Sequence, residues 1–123
     1  MVLGLKNGLA SQSENADLVL DKSGIRKYLD SAATGITAKN LSIAPKPDPA
    51  FYRHAATLLG LNINHCMVFE DTYAGAFSAV SAGVNICIGV ARNQSSILEL
   101  ASAGCDIITR DLTQFKKLLK IND

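Results

Sequence analysis

A short apolar run that ends in two acidic residues constrains the fold of this chain most. Residues 66–69 are apolar, Glu70 and Asp71 follow them, and residues 72–76 begin a helical segment rich in small residues. This order is typical of a strand that delivers carboxylates to the carboxyl edge of a parallel sheet, where open α/β sheets bind their ligands. Adjacent carboxylate oxygens at that edge suit Mg²⁺.

Strand-like and helix-like segments alternate along the whole chain. The predicted strands cover residues 7–11, 31–37, 66–69, 85–90 and 106–109. The predicted helices cover residues 14–22, the segment from Asp48 to Gly60, and residues 73–82, 94–103 and 112–120, whereas residues 38–46 are expected to be loop. Single helices between successive strands imply right-handed crossovers. The chain is therefore predicted to be one domain, residues 1–123, with an α/β, Rossmann-like parallel sheet and helices on both faces.

Two of the predicted helices have recognisable starts. Asp48 can accept hydrogen bonds as an N-cap, and Pro49 is tolerated at the first helical position, where its missing N–H had no partner. The apolar residues of that helix fall on one stripe, namely Phe51, Ala55, Leu58 and Leu59. Ser13 is the predicted N-cap of the helix at residues 14–22.

Composition excludes several classes of function. The formal net charge is +1, with no block of like charge, so neither nucleic acid nor a membrane is expected as a partner. No apolar stretch is long enough for a membrane span or a secretory leader. The chain has three widely spaced cysteines, an odd count that favours reduced thiols and a cytoplasmic protein.

Two segments upstream of Glu70-Asp71 carry polar groups suited to an anion. At residues 9–15 a strand end meets a helix start, so free backbone N–H groups and the Ser11 hydroxyl could hold an oxyanion. The same residues also fit a simple helix cap. Lys46 lies beside Pro47 and ahead of Pro49, two prolines that stiffen the backbone around it, although a single loop lysine is commonly a solvated charge.

Gly75 indicates that Glu70 and Asp71 do more than cap the helix. A glycine one turn into a helix costs about 1 kcal/mol relative to alanine. Close approach of the backbone to a ligand or to a neighbouring strand would explain its presence there. The alternative interpretation is that Glu70 and Asp71 only cap and favour the start of the helix.

The three segments together resemble the haloacid dehalogenase (HAD) superfamily, and most closely its β-phosphoglucomutase-like branch. Ser11 in Leu-Ala-Ser-Gln-Ser-Glu-Asn, Lys46 in Lys-Pro-Asp-Pro and Asp71 in Phe-Glu-Asp-Thr-Tyr-Ala-Gly look like its second, third and fourth motifs. The resemblance implies a phosphatase or phosphomutase acting on a phosphorylated small molecule.

The resemblance also implies roles for individual residues. Ser11 and the Gln12 backbone would hold the transferring phosphoryl group, and Asn15 would contact the substrate or its phosphate. Lys46 would neutralise the phosphoryl group and the nucleophile. Asp71 would bind Mg²⁺, and Glu70 would assist it from the same site or from just beyond it. These parts fit phosphoryl transfer, which needs charge neutralised by a cation, a metal and oriented N–H groups.

The first motif of that family, Asp-x-Asp-x-Thr/Val, is absent from these 123 residues. Its leading aspartate is the nucleophile, and covalent catalysis cannot proceed without one. The substrate-selecting cap would lie in the same missing region. The chain alone is therefore predicted to be inactive, with weak Mg²⁺ binding at most. The alternative function is a non-catalytic binding or oligomeric interaction module derived from a HAD phosphatase.

The missing motif also removes the central strand of the family's sheet. Its loss would leave two inner edges, and each buried unpaired backbone group there would cost about 1–3 kcal/mol. We therefore expect the edges to pair with each other, the first residues (1–5) to fold back, or another chain to supply a strand. The two predicted outcomes are a shortened four-strand sheet and an intimate homo-oligomer or strand-supplying complex.

Overall fold

The computed structural model describes residues 4–114, in which short parallel strands alternate with helices. The strands are β1 (Gly8–Ala10), β2 (Ser31–Ala33), β3 (Met67–Glu70), β4 (Ile86–Val90) and β5 (Ile107–Thr109). The α-helices are α1 (Ala16–Ser23), α2 (Gly35–Asn40), α3 (Ala50–Leu58), α4 (Tyr73–Ala82) and α5 (Gln94–Ser102). The predicted α/β class with parallel pairing is confirmed. Most of the helix predicted at residues 112–120 lies outside the described residues.

The strands form two separate sheets, not one. β1 pairs with β2, with Leu9 opposite Ala32, and β3, β4 and β5 form a second sheet in that order. Every pair is parallel. The predicted four-strand sheet is therefore wrong: within residues 4–114 the facing edges of β1 and β3 line two sides of a cavity instead of pairing.

The second half of the chain follows its sequence signals closely. α4 spans the predicted residues, begins where the Thr72 side chain accepts a hydrogen bond from the Gly75 N–H, and ends at Gly83 in the left-handed conformation. Positive φ at that position favours glycine. The strands at β3, β4 and β5 lie within a residue of their predicted starts.

The first half departs from the predictions in three places. The strand expected at residues 31–37 stops at Ala33, because Thr34 accepts a hydrogen bond from the Thr37 N–H and caps α2. This helix replaces the end of the expected strand and the start of the loop expected at residues 38–46. α1 starts at Ala16 instead of residue 14, and the predicted N-cap Ser13 is wrong: the N-cap position is Asn15, and the Ser13 hydroxyl accepts from the Asn15 N–H in a turn before the helix. The Thr34 cap sets the start of α2, whereas the Asn15 side chain makes no capping hydrogen bond at the start of α1.

Helix α3 begins one residue later than expected but uses the predicted capping group. Its first residue is Ala50, and the Asp48 carboxylate accepts a hydrogen bond from the Ala50 N–H at 2.8 Å. Phe51 packs with Ala33 in one buried cluster, whereas Tyr52 packs with Val68 in the other. α3 therefore contacts both sheets and connects them.

The three cysteines are free thiols, as predicted. Cys87 is fully buried on β4, and its Sγ lies 3.7 Å from that of Cys105. Burial, with the neighbouring Cys105 second, raises the pKa of Cys87 to about 12. Among the residues described, no helix combines the length and apolar character that a membrane crossing requires.

Candidate functional site

Lys46 holds a buried position between the two sheets. Its ammonium donates to Glu70 Oε1 at 2.6 Å and to the Ala10 carbonyl at 3.1 Å, which joins the carboxyl ends of β3 and β1. The side chains of Lys46 and Glu70 are only 9% and 8% exposed. The Lys46 Nζ also lies 4.8 Å from the centre of the Tyr52 ring. This lysine is therefore not a solvated surface charge.

The Glu70 carboxylate is fixed by several donors. Besides Lys46, the buried Tyr52 hydroxyl donates to Oε1 at 2.5 Å, and the Asp71 N–H donates to Oε2 at 3.2 Å. Burial first, and then the Glu70 negative charge, raises the pKa of the Tyr52 phenol. Tyr52 is therefore a neutral donor at physiological pH, and Glu70 accepts from it as a carboxylate paired with Lys46.

Gly75 makes room for Glu70. A Cβ placed on Gly75 would lie 2.1 Å from the Glu70 carboxyl carbon, far inside contact distance. The helix α4 therefore packs its first turn directly on the carboxylate, and any side chain at this position would displace it. The close approach expected at Gly75 exists, and its partner is Glu70.

Asp71 points away from Glu70 towards solvent. Its carboxylate accepts a hydrogen bond from the Arg92 guanidinium, and the side chains of Asp71 and Arg92 are 37% and 77% exposed. The two neighbouring acids therefore have different surroundings. Glu70 is buried and bound to Lys46, whereas Asp71 forms a rim ion pair.

The loop between β1 and α1 contacts the Lys46 backbone through the Gln12 side chain. Gln12 Oε1 accepts a hydrogen bond from the Lys46 N–H, and the Ser11 hydroxyl accepts from the Ser13 N–H at 3.3 Å. A Cβ on Gly35 would lie 2.1 Å from the Gln12 carbonyl oxygen, so glycine is required where α2 packs under this loop. Gly35 thus fixes the position of the loop.

Most of the predicted site residues meet at one cavity of about 930 Å³. Its lining includes Ser11, Gln12, Lys46, Glu70 and Asp71. Asn15 does not line it; this exposed residue lies one position before α1. The structure therefore brings together five of the six residues predicted for phosphate and metal binding.

The sequence predicted no role for Tyr52 or for Arg92. Tyr52 follows Phe51 in α3, and a buried tyrosine needs a hydrogen-bond partner, so its position beside the apolar stripe was the available signal. Arg92 lies just after β4, at the carboxyl edge of the sheet, where a cation can reach an acid on the neighbouring strand. The Gly35 contact had no signal in local sequence.

The donor set fits Mg²⁺ only in part. Within residues 4–114 no three His, Cys, Asp or Glu side chains lie together as a metal-binding group. Glu70 Oε1 already accepts from Lys46 and Tyr52, which leaves Asp71 as the carboxylate able to bind a cation after exchange of Arg92. Mg²⁺ is commonly held by one or two carboxylates with water and substrate phosphate completing the shell.

Comparisons with known proteins agree with the family resemblance found in the sequence. The sequence model of the haloacid dehalogenase-like hydrolases matches residues 3–83. The chain is 32% identical over 112 residues to a β-phosphoglucomutase of Bacillus subtilis, covering 89% of this chain and 45% of that protein. It is 34% identical over 104 residues to a validoxylamine A 7′-phosphate phosphatase of Streptomyces hygroscopicus, covering 76% of this chain and 46% of that protein.

Solved structures show the same likeness. A β-phosphoglucomutase from Clostridium difficile superposes with a TM-score of 0.74 at 27% identity, covering 94% of this chain and 48% of the other. A HAD phosphatase from Thermococcus onnurineus shares the fold, with a TM-score of 0.75 at 22% identity, covering 94% and 51%. The chain spans about half the length of the relatives it matches.

Proposed function

Because the chain belongs to the haloacid dehalogenase-like hydrolase family, we propose that these residues form the phosphate-binding part of a phosphatase or phosphomutase. In this proposal the nucleophilic carboxylate comes from outside these 123 residues, and the chain alone does not turn over phosphate esters. The substrate class is a phosphorylated small molecule. Two matched relatives are a phosphomutase and a phosphatase of such compounds, by their names.

One observation supports the proposal above all others: the Lys46 ammonium is buried at the cavity, and in the part of the chain that the structure describes each carboxylate at the cavity is bound by a cationic side chain. Within residues 4–114, the only acids that line the cavity are Glu70 and Asp71. Glu70 is bound to Lys46 and Tyr52, and Asp71 is paired with Arg92. A covalent nucleophile must be free to attack the substrate, whereas Glu70 is held by Lys46 and Tyr52 and Asp71 is paired with Arg92 and would hold Mg²⁺.

The remaining groups suit an anionic ligand. Lys46 supplies a positive charge in a site shielded from water, where charge neutralisation is most effective. The Ser11 hydroxyl and the Gln12 backbone flank Lys46. The positive end of the α1 dipole, at Asn15, lies farther from it. Lys46, Ser11 and Gln12 would hold the phosphoryl oxygens, whereas Asn15, which does not line the cavity, would act only through the positive end of α1.

Asp71 is the residue that would hold Mg²⁺, since its carboxylate is partly exposed at the rim. The ion would supply additional neutralisation of the phosphate oxygens. Glu70 would lie beside the ion and keep Lys46 in place. Because one available carboxylate makes a low-charge oxygen site, we expect binding in the millimolar range, about 1 mM or weaker.

Titration with inorganic phosphate, followed by ³¹P NMR, tests the phosphate site directly. We expect the purified chain to bind phosphate and the Lys46→Met variant to bind at least about tenfold more weakly, as expected for loss of a charged partner worth about 1.5–3 kcal/mol. Lys39→Met is the matched control, because Lys39 is an exposed lysine on α2. Equal binding by wild type and Lys46→Met would contradict the proposal.

Hydrolysis of p-nitrophenyl phosphate with Mg²⁺ tests whether the chain alone lacks phosphatase activity. We expect no turnover by the chain alone. Turnover that is abolished by Asp71→Ala would contradict the proposal, because it would require a nucleophile within these residues.

A second candidate function is a non-catalytic assembly module. The observation that favours it is the cavity itself, which opens between the unpaired sides of two sheets and is lined mainly by apolar residues. Analytical ultracentrifugation distinguishes the two functions. A stable homo-oligomer that binds no phosphate would favour assembly over the proposed catalytic part.

A further inference from the structure

Two cysteine thiols lie against each other in the sheet of β3, β4 and β5. Cys87 is on β4 and Cys105 is between α5 and β5, 18 positions later in the chain, and their Sγ atoms are 3.7 Å apart. At this distance one thiol can donate a weak hydrogen bond to the other. The third thiol, that of Cys66, donates instead to the Asn62 carbonyl at 3.5 Å.

The end of helix α5 places Cys105 at this point. Gly104, two residues after the helix, has a φ of +101°, the left-handed conformation that commonly ends a helix. The Cys105 N–H then donates to the Leu100 carbonyl at 3.3 Å, which turns the chain from α5 towards β5. The backbone therefore fixes where the Cys105 side chain begins.

Strand β4 leaves room for the Cys105 sulfur at Gly89. A Cβ placed on Gly89 would lie 3.1 Å from the Cys105 Sγ, so a side chain there would press against the thiol. Two hydrogen bonds hold the neighbouring backbone. The Cys87 N–H donates to the Asp106 carboxylate at 2.8 Å, and the Asp106 N–H donates to the Cys87 carbonyl at 2.9 Å.

The spacing of the two backbones suits a disulfide. Adjacent strands lie about 4.8 Å apart and a residue advances about 3.3 Å, which places the Cα atoms of Cys87 and Cys105 about 6 Å apart. Disulfides join cysteines whose Cα atoms are about 4.4–6.8 Å apart. The sulfur atoms would move from 3.7 Å to about 2.0 Å, a change within reach of rotation about the two Cα–Cβ bonds.

The two thiols differ in access to solvent. Cys87 is fully buried, whereas Cys105 is only partly buried. An oxidant therefore meets Cys105 first, and Cys87 is the neighbour that can react with the oxidised sulfur. Burial raises the pKa of the Cys105 thiol, so the reactive thiolate is scarce at neutral pH and the reaction is expected to be slow.

We propose that Cys87 and Cys105 form a redox modification site, in which hydrogen peroxide converts the two thiols to an intramolecular disulfide. The Cys105 thiolate attacks one peroxide oxygen, the O–O bond breaks, and the released hydroxide takes up a proton, which leaves a sulfenic acid and water. The Cys87 sulfur then attacks the Cys105 Sγ and releases its proton. The S–S bond forms, the S–O bond breaks and a second water leaves, so the thiols lose two electrons and the peroxide gains them.

The disulfide would close a covalent loop around the β4–α5 unit, residues 87–105. This loop includes Arg92, the partner of Asp71 at the rim of the candidate site. Closing a loop of this length restricts the unfolded chain and favours the folded state by about a hundredfold in the equilibrium constant. The constraint applies to β4 and the start of β5, whereas β1 and β2 lie outside the loop.

Mass spectrometry of the intact 123-residue chain tests the proposal. The purified protein is treated with about 1 mM hydrogen peroxide at about pH 8, unfolded, and alkylated at its remaining thiols. We expect Cys87 and Cys105 to escape alkylation and to be linked, with the loss of two hydrogen atoms. Dithiothreitol should restore both thiols, and Cys66 should be alkylated throughout.

The sequence allows the linked cysteines to be identified by proteolysis. Trypsin cleaves after Arg92, which separates Cys87 from Cys105. A protease that cleaves after glutamate cuts at Glu70, which separates Cys66 from Cys87. Double digestion therefore assigns any disulfide to one pair of the three thiols.

Three substitutions sharpen the assignment. Cys105→Ser, at the partly buried position, should abolish the linkage and leave Cys87 open to alkylation after unfolding. Cys87→Ala should abolish it from the buried side, which keeps the test decisive if one of the two variants does not fold. Cys66→Ser is the matched control and should form the disulfide at a rate within about twofold of the wild type.

Amide hydrogen exchange tests the effect of the disulfide on the fold. After oxidation we expect exchange in β4 and β5 to slow by at least about tenfold. Exchange in β1 and β2 should change by less than about twofold.

Several results would overturn the proposal. These are a disulfide that includes Cys66, oxidation of Cys105 to a sulfinic acid without any linkage, and alkylation of all three thiols after prolonged treatment with peroxide. Formation of an intramolecular disulfide by Cys105→Ser would also contradict it. Unchanged exchange in β4 and β5 of the fully linked protein would overturn the constraint on the β4–α5 unit.

Discussion

The two sheets of this protein differ in size and in the burial of their strands. The sheet of β3, β4 and β5 has a central strand with Cys87 and Ile88 almost fully buried, and α4 and α5 pack against it. The sheet of β1 and β2 has strands of three residues each and a small buried cluster around Phe51. Two-stranded sheets are marginally stable by themselves. The first sheet therefore depends on α3 and on Lys46 for its position.

This difference indicates which half of the candidate site is less stable. Half of the candidate phosphate site, including Ser11 and Gln12, lies on the small sheet, and the Glu70–Asp71 half lies on the large one. Lys46 bridges them through Ala10 and Glu70. Local opening occurs most readily where few apolar contacts hold an element. The small sheet should therefore open before the large one, and the site should lose its shape when it does.

Among the substitutions that test this difference, Phe51→Ala should cause the largest loss in the free energy of unfolding. Phe51 is completely buried against Ala33 and Ala38, and truncating a buried phenylalanine typically costs about 3–5 kcal/mol. We expect urea denaturation to show a loss of that size. Hydrogen exchange should accelerate in β1 and β2 more than in β4.

Leu100→Ala is the matched truncation in the large sheet. Leu100 is buried to the same degree in the other cluster, and its removal should cost about 2–5 kcal/mol. Exchange should then accelerate mainly in β4 and β5. If both variants accelerate exchange equally in all strands, the two sheets form one cooperative unit and the comparison fails.

Glu70→Gln should have the next largest effect, because it breaks the bridge between the sheets. The Lys46 ammonium would keep its buried position without a counter-charge, which typically costs about 3–5 kcal/mol. We expect a loss of about 3 kcal/mol in the free energy of unfolding, measured in urea. Rescue by the double variant Glu70→Gln, Lys46→Met would confirm that the unpaired charge is the cause. A loss below about 1 kcal/mol would mean that the pair is effectively solvated.

The sequence predicted the large sheet well and the small sheet poorly, for a physical reason. α4 is capped by Thr72 at its start and by Gly83 at its end, so local chemistry determines its limits. The short β2 and α2 are separated by a local cap at Thr34 but also depend on a tertiary contact, since Gly35 packs on the Gln12 carbonyl across 23 positions of sequence. No local pattern encodes that contact.

The candidate site divides in the same way. Ser11, Lys46 and Asp71 were recognised from their motifs, and Gly75 from its cost in a helix. The contact that fixes Glu70 was not, because Tyr52 lies on a helix whose pattern also fits a simple buried position. The pairing of Asp71 with Arg92 joins residues on neighbouring strands and requires knowledge of strand order.

Tyr52→Phe should have an intermediate effect that depends on pH. It removes a hydrogen bond to a charged group, which is worth about 1.5–3 kcal/mol. The folded pKa of Tyr52 is raised above its ordinary value of 10.0, chiefly by burial. Its contribution to stability is therefore complete below pH 10 and is lost as the pH rises beyond it, because only the unfolded chain releases the proton.

Urea titrations from pH 8 to 11 check the sign of this effect. Stability of the wild type should fall above about pH 9, where Cys87 begins to contribute since its pKa is also raised, and more steeply above about pH 10. Tyr52→Phe should lack the steeper part. Tyr28→Phe, at an exposed tyrosine, is the control and should keep it. A wild-type stability that rises with pH over this range would contradict the burial of Tyr52.

Arg92→Ala should have the smallest effect, although it also breaks an ion pair with one of the two adjacent acids. Both partners are exposed and both belong to the large sheet, so the pair is screened by solvent and bridges nothing. We expect a loss of about 0–1 kcal/mol that disappears in about 1 M salt, measured by urea denaturation beside Glu70→Gln. Asp71→Asn should behave in the same way. A loss above about 2 kcal/mol for Arg92→Ala would mean that the exposed Asp71–Arg92 pair stabilises the fold as the Lys46–Glu70 pair does. The contrast between the buried ion pair and the exposed ion pair would then be wrong.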